Sequence, residues 1–370
     1  LDKAGKISNI QFFFMVFAAQ LNLGIYAMPS PLFTAAKGSA WLAVIVAWGA
    51  ASACAIIMYM LARQFPGQSI YEYSSILTGR TFGTFLTICY VIYFLTFGGW
   101  MLWSLCEVLK SWMFLWTPKW FLSLCIGITC YLLGEKSISA IARVCSIVTC
   151  FSVLIFLIFL LLSFKDYMRY GIEPLRFMPF IQSDVRDLAK AIQTAFIHML
   201  GFQIIMIIFP FVKPSKSNAF KALMLSLLGT AIIFMLVICS ITLCLSKLEV
   251  TLMEYPWLYI LQGTALQTVN RLDQLFIPIW LSVVIVSISL QIYISSQGLK
   301  ILFRLQSHRK PALWAAVLIA LTVTLPISHD TLKTFNRYLA WTSYALVIGF
   351  PLLLLMLSKI KASSIAEAGR

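Results

Sequence analysis

The chain has 370 residues, 61% of them hydrophobic and 11% charged, with a mean hydropathy of +0.91. Soluble domains carry about 45–50% apolar and 25% charged residues, so the composition excludes a soluble globular protein and describes a polytopic membrane protein. The formal net charge of +15 is spread over many loops. That distribution fits a topology signal and attraction to anionic lipid, and it excludes a single nucleic-acid patch.

A membrane-spanning helix needs about 20 apolar residues. Ten such spans are expected at 9–35, 40–62, 81–107, 118–133, 139–163, 188–211, 220–246, 272–298, 312–327 and 336–358, with no separate soluble domain in 1–370. The first span is interrupted at Gly24-Ile25-Tyr26-Ala27-Met28-Pro29. After the second span, residues 63–80 place Ile70, Tyr71, Tyr73 and Ile76 beside polar residues, the pattern of a short interfacial helix. Arg143 lies near the start of the fifth span. The following connection, 164–190, mixes Asp166, Glu173, Asp184 and Asp187 with Lys165, Arg169, Arg176 and Arg186, and is a candidate lid or partner contact. The sixth span contains His198 and is broken between Gly201 and Pro210. A second long connection, 247–271, carries Glu249, Glu254 and Tyr255-Pro256. Arg271 and Asp273 stand at the head of the eighth span. Two residues apart, they do not share a helix face, so they are expected to bond different neighbours as a clamp or gate.

The two breaks carry the functional signal. Backbone polar groups cannot stay unpaired in lipid, so a Gly/Pro break survives at mid-membrane depth only where it is buried or lines a cavity. A pair of breaks, one in each half of a chain, points to a substrate site between inverted repeats. Span starts in the second half follow those in the first by 180, 191, 194 and 197 residues, and Gly201 follows Gly24 by 177. Five spans per half force the halves to enter the membrane from opposite sides. The expected architecture is therefore all-α, about ten transmembrane helices in a five-plus-five inverted repeat, with repeats at about 9–163 and 188–358 and helices one and six broken. Lys and Arg in the loops favour an N-terminus on the cytoplasmic side, with 16 of the 28 basic residues there.

Catalytic motifs are missing. The nine cysteines fall inside or at the ends of spans with no C-x-x-C, only three histidines occur, and there is no H-E-x-x-H, Walker A or G-x-S-x-G sequence. No enzyme activity, metal or cofactor is expected. The chain begins with Leu and shows no cleavable signal sequence, so the first span is expected to remain as anchor and site.

Four stretches, in order, resemble the spore germination permease-like family, the B-type subunits of germinant receptors within the amino acid-polyamine-organocation superfamily. They are Gly24 to Pro29; Phe65-Pro66-Gly67-Gln68-Ser69-Ile70-Tyr71-Glu72-Tyr73 with Gly79-Arg80 and Gly83; Gly201-Phe202-Gln203 with Pro210, Lys213-Pro214 and Lys216; and Arg271-Leu272-Asp273-Gln274-Leu275-Phe276 running to Trp280. The family pattern favours Glu where this chain has Gln203. The resemblance implies an amino-acid-transporter-like fold in the inner membrane of an endospore. It implies binding of a small nutrient such as an amino acid, and work with a larger membrane subunit and a lipoprotein to trigger germination. A working amino-acid permease, possibly proton-coupled, is the alternative, and a scaffold with a degenerate pocket is a third reading.

For such a site, N–H groups freed near Gly24 and the positive end of the outer half-helix suit an α-carboxylate, while freed carbonyls suit an α-ammonium. Gly24, Ile25 and Tyr26 begin the pocket wall. Phe196, Leu200, Gly201 and Phe202 flank the matching break, and Tyr93, Phe97 and Gly98 of span three close it. Each wall residue also fits ordinary helix packing. His198 is either a proton relay or ligand contact, or a neutral ring bonded to a carbonyl. Ser287 and Ser289 either join unwound carbonyls of span one in an ion site, as in some superfamily relatives, or bond their own backbone. Arg143 either holds the broken helix as a fixed cation or snorkels to the interface.

Overall fold

The computed structural model describes residues 5–170, 183–213, 216–264, 271–325 and 329–368. The described residues form helices and no extended strand. Span one comprises α1 (Asn9–Leu21), α2 (Gly24–Ala27) and α3 (Pro29–Ala36); α4 (Ala40–Gln64) is span two. A short α5 (Ile70–Thr78) leads into α6 (Arg80–Trp112), α7 (Lys119–Gly134) and α8 (Ile138–Tyr170). Span six is α9 (Val185–His198), a 3-10 turn at Phe202–Ile204, α10 (Ile205–Ile208) and a second 3-10 turn at Phe209–Phe211. Then follow α11 (Lys216–Cys244), α12 (Lys247–Leu252), α13 (Pro256–Gly263), α14 (Leu272–Leu302) and α15 (Arg309–Leu321). The last span joins α16 (His329–Ser343) to α17 (Phe350–Ala368) through a π-helical turn at Tyr344–Gly349.

Seven of these helical runs are long and apolar enough to cross a membrane alone, and the two parts of span six, bent by 45°, make an eighth. The shorter α7 and α15, of 16 and 13 residues, supply spans four and nine. The burial pattern divides core from wall. The apolar windows of span one, α14 and α6 are 72%, 67% and 61% buried, against 33% for α8. Spans one, three and eight thus form the centre, and α8 turns Ile147, Phe151 and Leu161 outward. All nine cysteines are free.

Two expectations change. The connector helix α5 starts from a capping box between Ser69 and Glu72, and it packs its aromatic face into the bundle. Tyr71 and Tyr73 are buried, and the Tyr71 hydroxyl donates to the Ile294 carbonyl of α14 at 3.2 Å. Its aromatic face finds more apolar contact in the bundle than at the surface, leaving Ile76 exposed. Arg271 and Asp273 bond each other, through Nε to Oδ1 at 3.0 Å and Nη2 to Oδ2 at 2.7 Å. The same-face rule does not apply because Arg271 is the extended N-cap of α14 and only Asp273 is helical. The second half of the 164–190 connection is partly legible: Asp187 pairs with Lys190 at 2.8 Å on α9, whereas 171–182, with Glu173 and Arg176, lie outside the described residues.

At the N-terminal end of the bundle the two broken spans are tied through backbone. The Ile7 N–H donates to the Phe211 carbonyl at 2.9 Å and the Lys213 N–H to the Ile7 carbonyl at 3.0 Å, making a parallel bridge between Ile7 and Val212. Among the described residues the opposite end is open.

Candidate functional site at the two helix breaks

Span one breaks earlier than its Gly/Pro run suggests. The helix stops at Leu21, Asn22 and Leu23 are non-helical, and a second interruption falls at Met28. Asn22 drives the break because its side chain competes for backbone partners. Its amide donates to the Ala19 carbonyl at 2.7 Å, and its own oxygen accepts the Leu23 N–H. Two more carbonyls near the break have side-chain partners. Trp280 Nε1 donates to the Asn22 carbonyl at 2.7 Å, and Ser287 Oγ to the Ala18 carbonyl at 2.7 Å.

Span six mirrors this arrangement. Gly201 has φ +139°, a conformation open to glycine, and its N–H donates to Gln203 Oε1 at 2.6 Å. Gln20 Nε2 of α1 donates to the freed Met199 carbonyl at 3.0 Å, while Thr230 of α11 donates to Gln20 Oε1 at 3.2 Å. Gln203 Nε2 reaches the Tyr93 hydroxyl of α6 at 3.3 Å, which also accepts from Ser343 Oγ at 3.4 Å. The two breaks and spans three and ten therefore share one buried hydrogen-bonded network. Tyr90 joins span ten as well, donating to the Leu346 carbonyl in the π turn at 2.8 Å.

Beside this network runs an aromatic ladder: Tyr93 to Phe97 with ring centroids at 6.0 Å, and Phe97 to Trp100 at 5.7 Å. Phe196 stacks on Tyr344 at 6.0 Å. Beyond the ladder, toward the open end, lies a cavity of about 710 Å³ whose lining includes Tyr26, Trp100, Trp103, Glu107, His198 and Tyr255. His198 Nδ1 lies 2.9 Å from the Thr194 carbonyl, so it carries the proton there, and the ring meets Trp100 edge-on. Tyr26 packs edge-on against Tyr255. Burial and then the Glu254 carboxylate hold the Tyr255 phenol well above its ordinary range, so it is neutral at physiological pH.

The structure thus gathers Tyr26, Tyr93, Phe97, Phe196, Gly201 and His198 around the breaks and the cavity, with Ile25, Leu200 and Phe202 fully buried beside them. The space over Gly24 is filled by the Phe234 ring of α11: a β-carbon there would lie 2.9 Å from Cε1. Gly98 faces elsewhere, toward Ile319 of α15 and Cβ of Gln291 of α14. Ser289 donates back to the Ile285 carbonyl at 2.7 Å, so the two serines do not converge. Ser287 Oγ lies 2.7 Å from the Ala18 carbonyl of span one and 3.0 Å from the Val283 carbonyl of its own helix, so its one proton can serve either. Arg143 is exposed on α8. Sequence reasoning missed Gln20, Phe234 and Ser343 and the contact of Trp280, all of which depend on partners far along the chain, and it missed the local bonds of Asn22. It also missed Trp103 and Glu107, whose spacings of three and seven residues from Trp100 and four from each other are readable on a helix.

A family model described as spore germination protein matches residues 6–361. Relatives include "Spore germination protein YndE" of Bacillus subtilis (strain 168), 22% identical over 309 residues, covering 81% of this chain and 82% of that protein. A second is "Spore germination protein GerQB" of Bacillus cereus, 21% identical over 302 residues and covering 80% of each. Among solved structures, the nucleobase-cation-symport-1 family transporter Mhp1, in a closed conformation with bromovinylhydantoin bound, superposes with TM-score 0.70 at 12% identity, over 93% of this chain and 77% of that one. A Na+-coupled sialic acid symporter in a substrate-bound outward-open state gives TM-score 0.65 at 12% identity, over 93% and 78%. These likenesses are of fold.

Proposed function

The chain belongs to the spore germination protein family, and from that premise we propose that it is the membrane subunit of a germinant receptor. It binds a small nutrient, an amino acid in our reading, at the breaks of spans one and six, and passes a conformational change to partners that start germination. The partners are a larger membrane subunit and a lipoprotein, and the location is the spore inner membrane.

One observation carries this reading above a cation-driven permease. Four carbonyls at the two breaks have side-chain partners from the chain itself: Ala18 with Ser287, Ala19 with Asn22, Asn22 with Trp280 and Met199 with Gln20. At these four carbonyls side chains take the place a coupling ion would fill, which suits a protein that responds to ligand by a shift between states. The open cavity on one side and the Ile7–Val212 bridge on the other support a sensor that samples solute from one face. His198 on the cavity wall favours the second reading, a proton-coupled permease.

The test is to tag the chain in its native host and purify it gently from dormant-spore membranes. Stoichiometric recovery with a lipoprotein and a larger membrane subunit is expected. Recovery alone, with amino-acid flux in liposomes, would overturn the receptor reading in favour of the permease.

A further inference from the structure

Lys119, the first residue of α7, reaches into the open cavity and sits against two residues of α6. Its ammonium pairs with the Glu107 carboxylate and lies 5.5 Å from the centroid of the Trp103 ring. Trp103 and Glu107 are four residues apart and so share one helix face. An aromatic face beside a carboxylate is the chemistry that recognises an ammonium group, because the ring quadrupole and the fixed negative charge attract the same cation.

We propose that the cavity mouth contains an ammonium-recognition subsite formed by Trp103 and Glu107, held in this structure by the chain's own Lys119 as a tethered competitor. The ligand class is a small solute carrying a primary or quaternary ammonium. Three further features fit. Lys119 is on a flexible stem with its side chain one-third exposed, so it can leave without unfolding a helix. Glu254 brings a second carboxylate to the same lining, where among the described residues the only other charged side chain is Lys119, so an arriving cation balances the charge. His198, its Nδ1 proton committed to Thr194, has only acceptor capacity left on Nε2 when neutral. The subsite deepens the nutrient-binding reading by naming the ligand group met first.

The test reads binding by the purified full chain and does not depend on germination, so its failure is separable from failure of the receptor reading. Tetramethylammonium chloride is titrated calorimetrically into wild type, Lys119→Met and Lys119→Arg. Removing the competitor is expected to tighten binding by about tenfold, with Lys119→Arg behaving as wild type. Adding Glu107→Gln or Trp103→Leu to Lys119→Met is expected to abolish the gain. Equal affinity of wild type and Lys119→Met, or an unchanged gain in both double variants, would overturn the proposal. A measurement on the unaltered chain stands beside it: saturating tetramethylammonium should speed acetylation of Lys119 by a water-soluble succinimidyl ester, relative to Lys110, as read by mass spectrometry. An unchanged ratio would contradict displacement of Lys119.

Discussion

Gly201 packs directly on the backbone of span one: a β-carbon at 201 would fall 2.7 Å from the amide nitrogen of Gln20. The two broken helices touch main chain to main chain at their breaks, so neither can shift without the other. Gly201→Ala should therefore cost about 2–5 kcal/mol, from the positive φ and the backbone clash together. The check is the thermal midpoint of the purified protein, which should fall by many degrees. An alanine variant as stable as wild type would mean that the breaks do not meet.

Gly24 faces a side chain and not a backbone, so its requirement is of a different kind. Gly24→Ala should destabilise because Phe234 occupies the space, and Phe234→Leu in the same chain should recover part of the loss. A double-mutant cycle on unfolding midpoints measures the coupling, expected at about 0.5–3 kcal/mol. Zero coupling would show that Gly24 is constrained by something other than that ring.

Much of this arrangement was legible in the sequence, and the reasons for the misses are physical. The broken spans stood out because Gly and Pro are costly inside a helix unless something repays their partners. The position of the first break did not, because Gly24 and Pro29 look like the breakers whereas Asn22 acts through its own amide. Phe234 and Trp280 lie more than 200 residues from the groups they cover, and no local pattern announces those contacts. Arg271 and Asp273 were misread because the helix start fell between them. Trp103 and Glu107 share a helix face, but an almost uniformly apolar span hides a stripe that differs from its surroundings by a single carboxylate.

Gln203 serves both span six and span three, accepting from Gly201 and donating toward Tyr93. Gln203→Leu should cost about 1–3 kcal/mol, since the Gly201 N–H then stays buried and unpaired. Gln203→Glu should fold well in acid, where a neutral carboxyl supplies the same acceptor and donor. Its melting point should fall as pH rises, because ionisation removes the donor and buries a charge. A pH-independent Gln203→Glu midpoint would contradict the network.

The Ile7–Val212 bridge predicts a closed N-terminal end. Replacing Ile7 with Pro removes the donor to Phe211, and should raise hydrogen exchange of the Val212 and Lys213 amides and of the 205–211 segment. Exchange that matches wild type would mean that the bridge does not hold the two spans together.

The central claim, that a nutrient is read at the broken helices, is tested most directly by germination dose–response. Spores whose germination depends on this chain would be exposed to each standard amino acid, comparing wild type with Phe97→Ala and Phe196→Ala. Widening the pocket beside the ladder should change which amino acid acts best and shift the half-maximal concentrations. Identical ranking and identical half-maximal concentrations, with both variants present in the membrane at wild-type levels, would contradict the account and move the ligand site away from these helices.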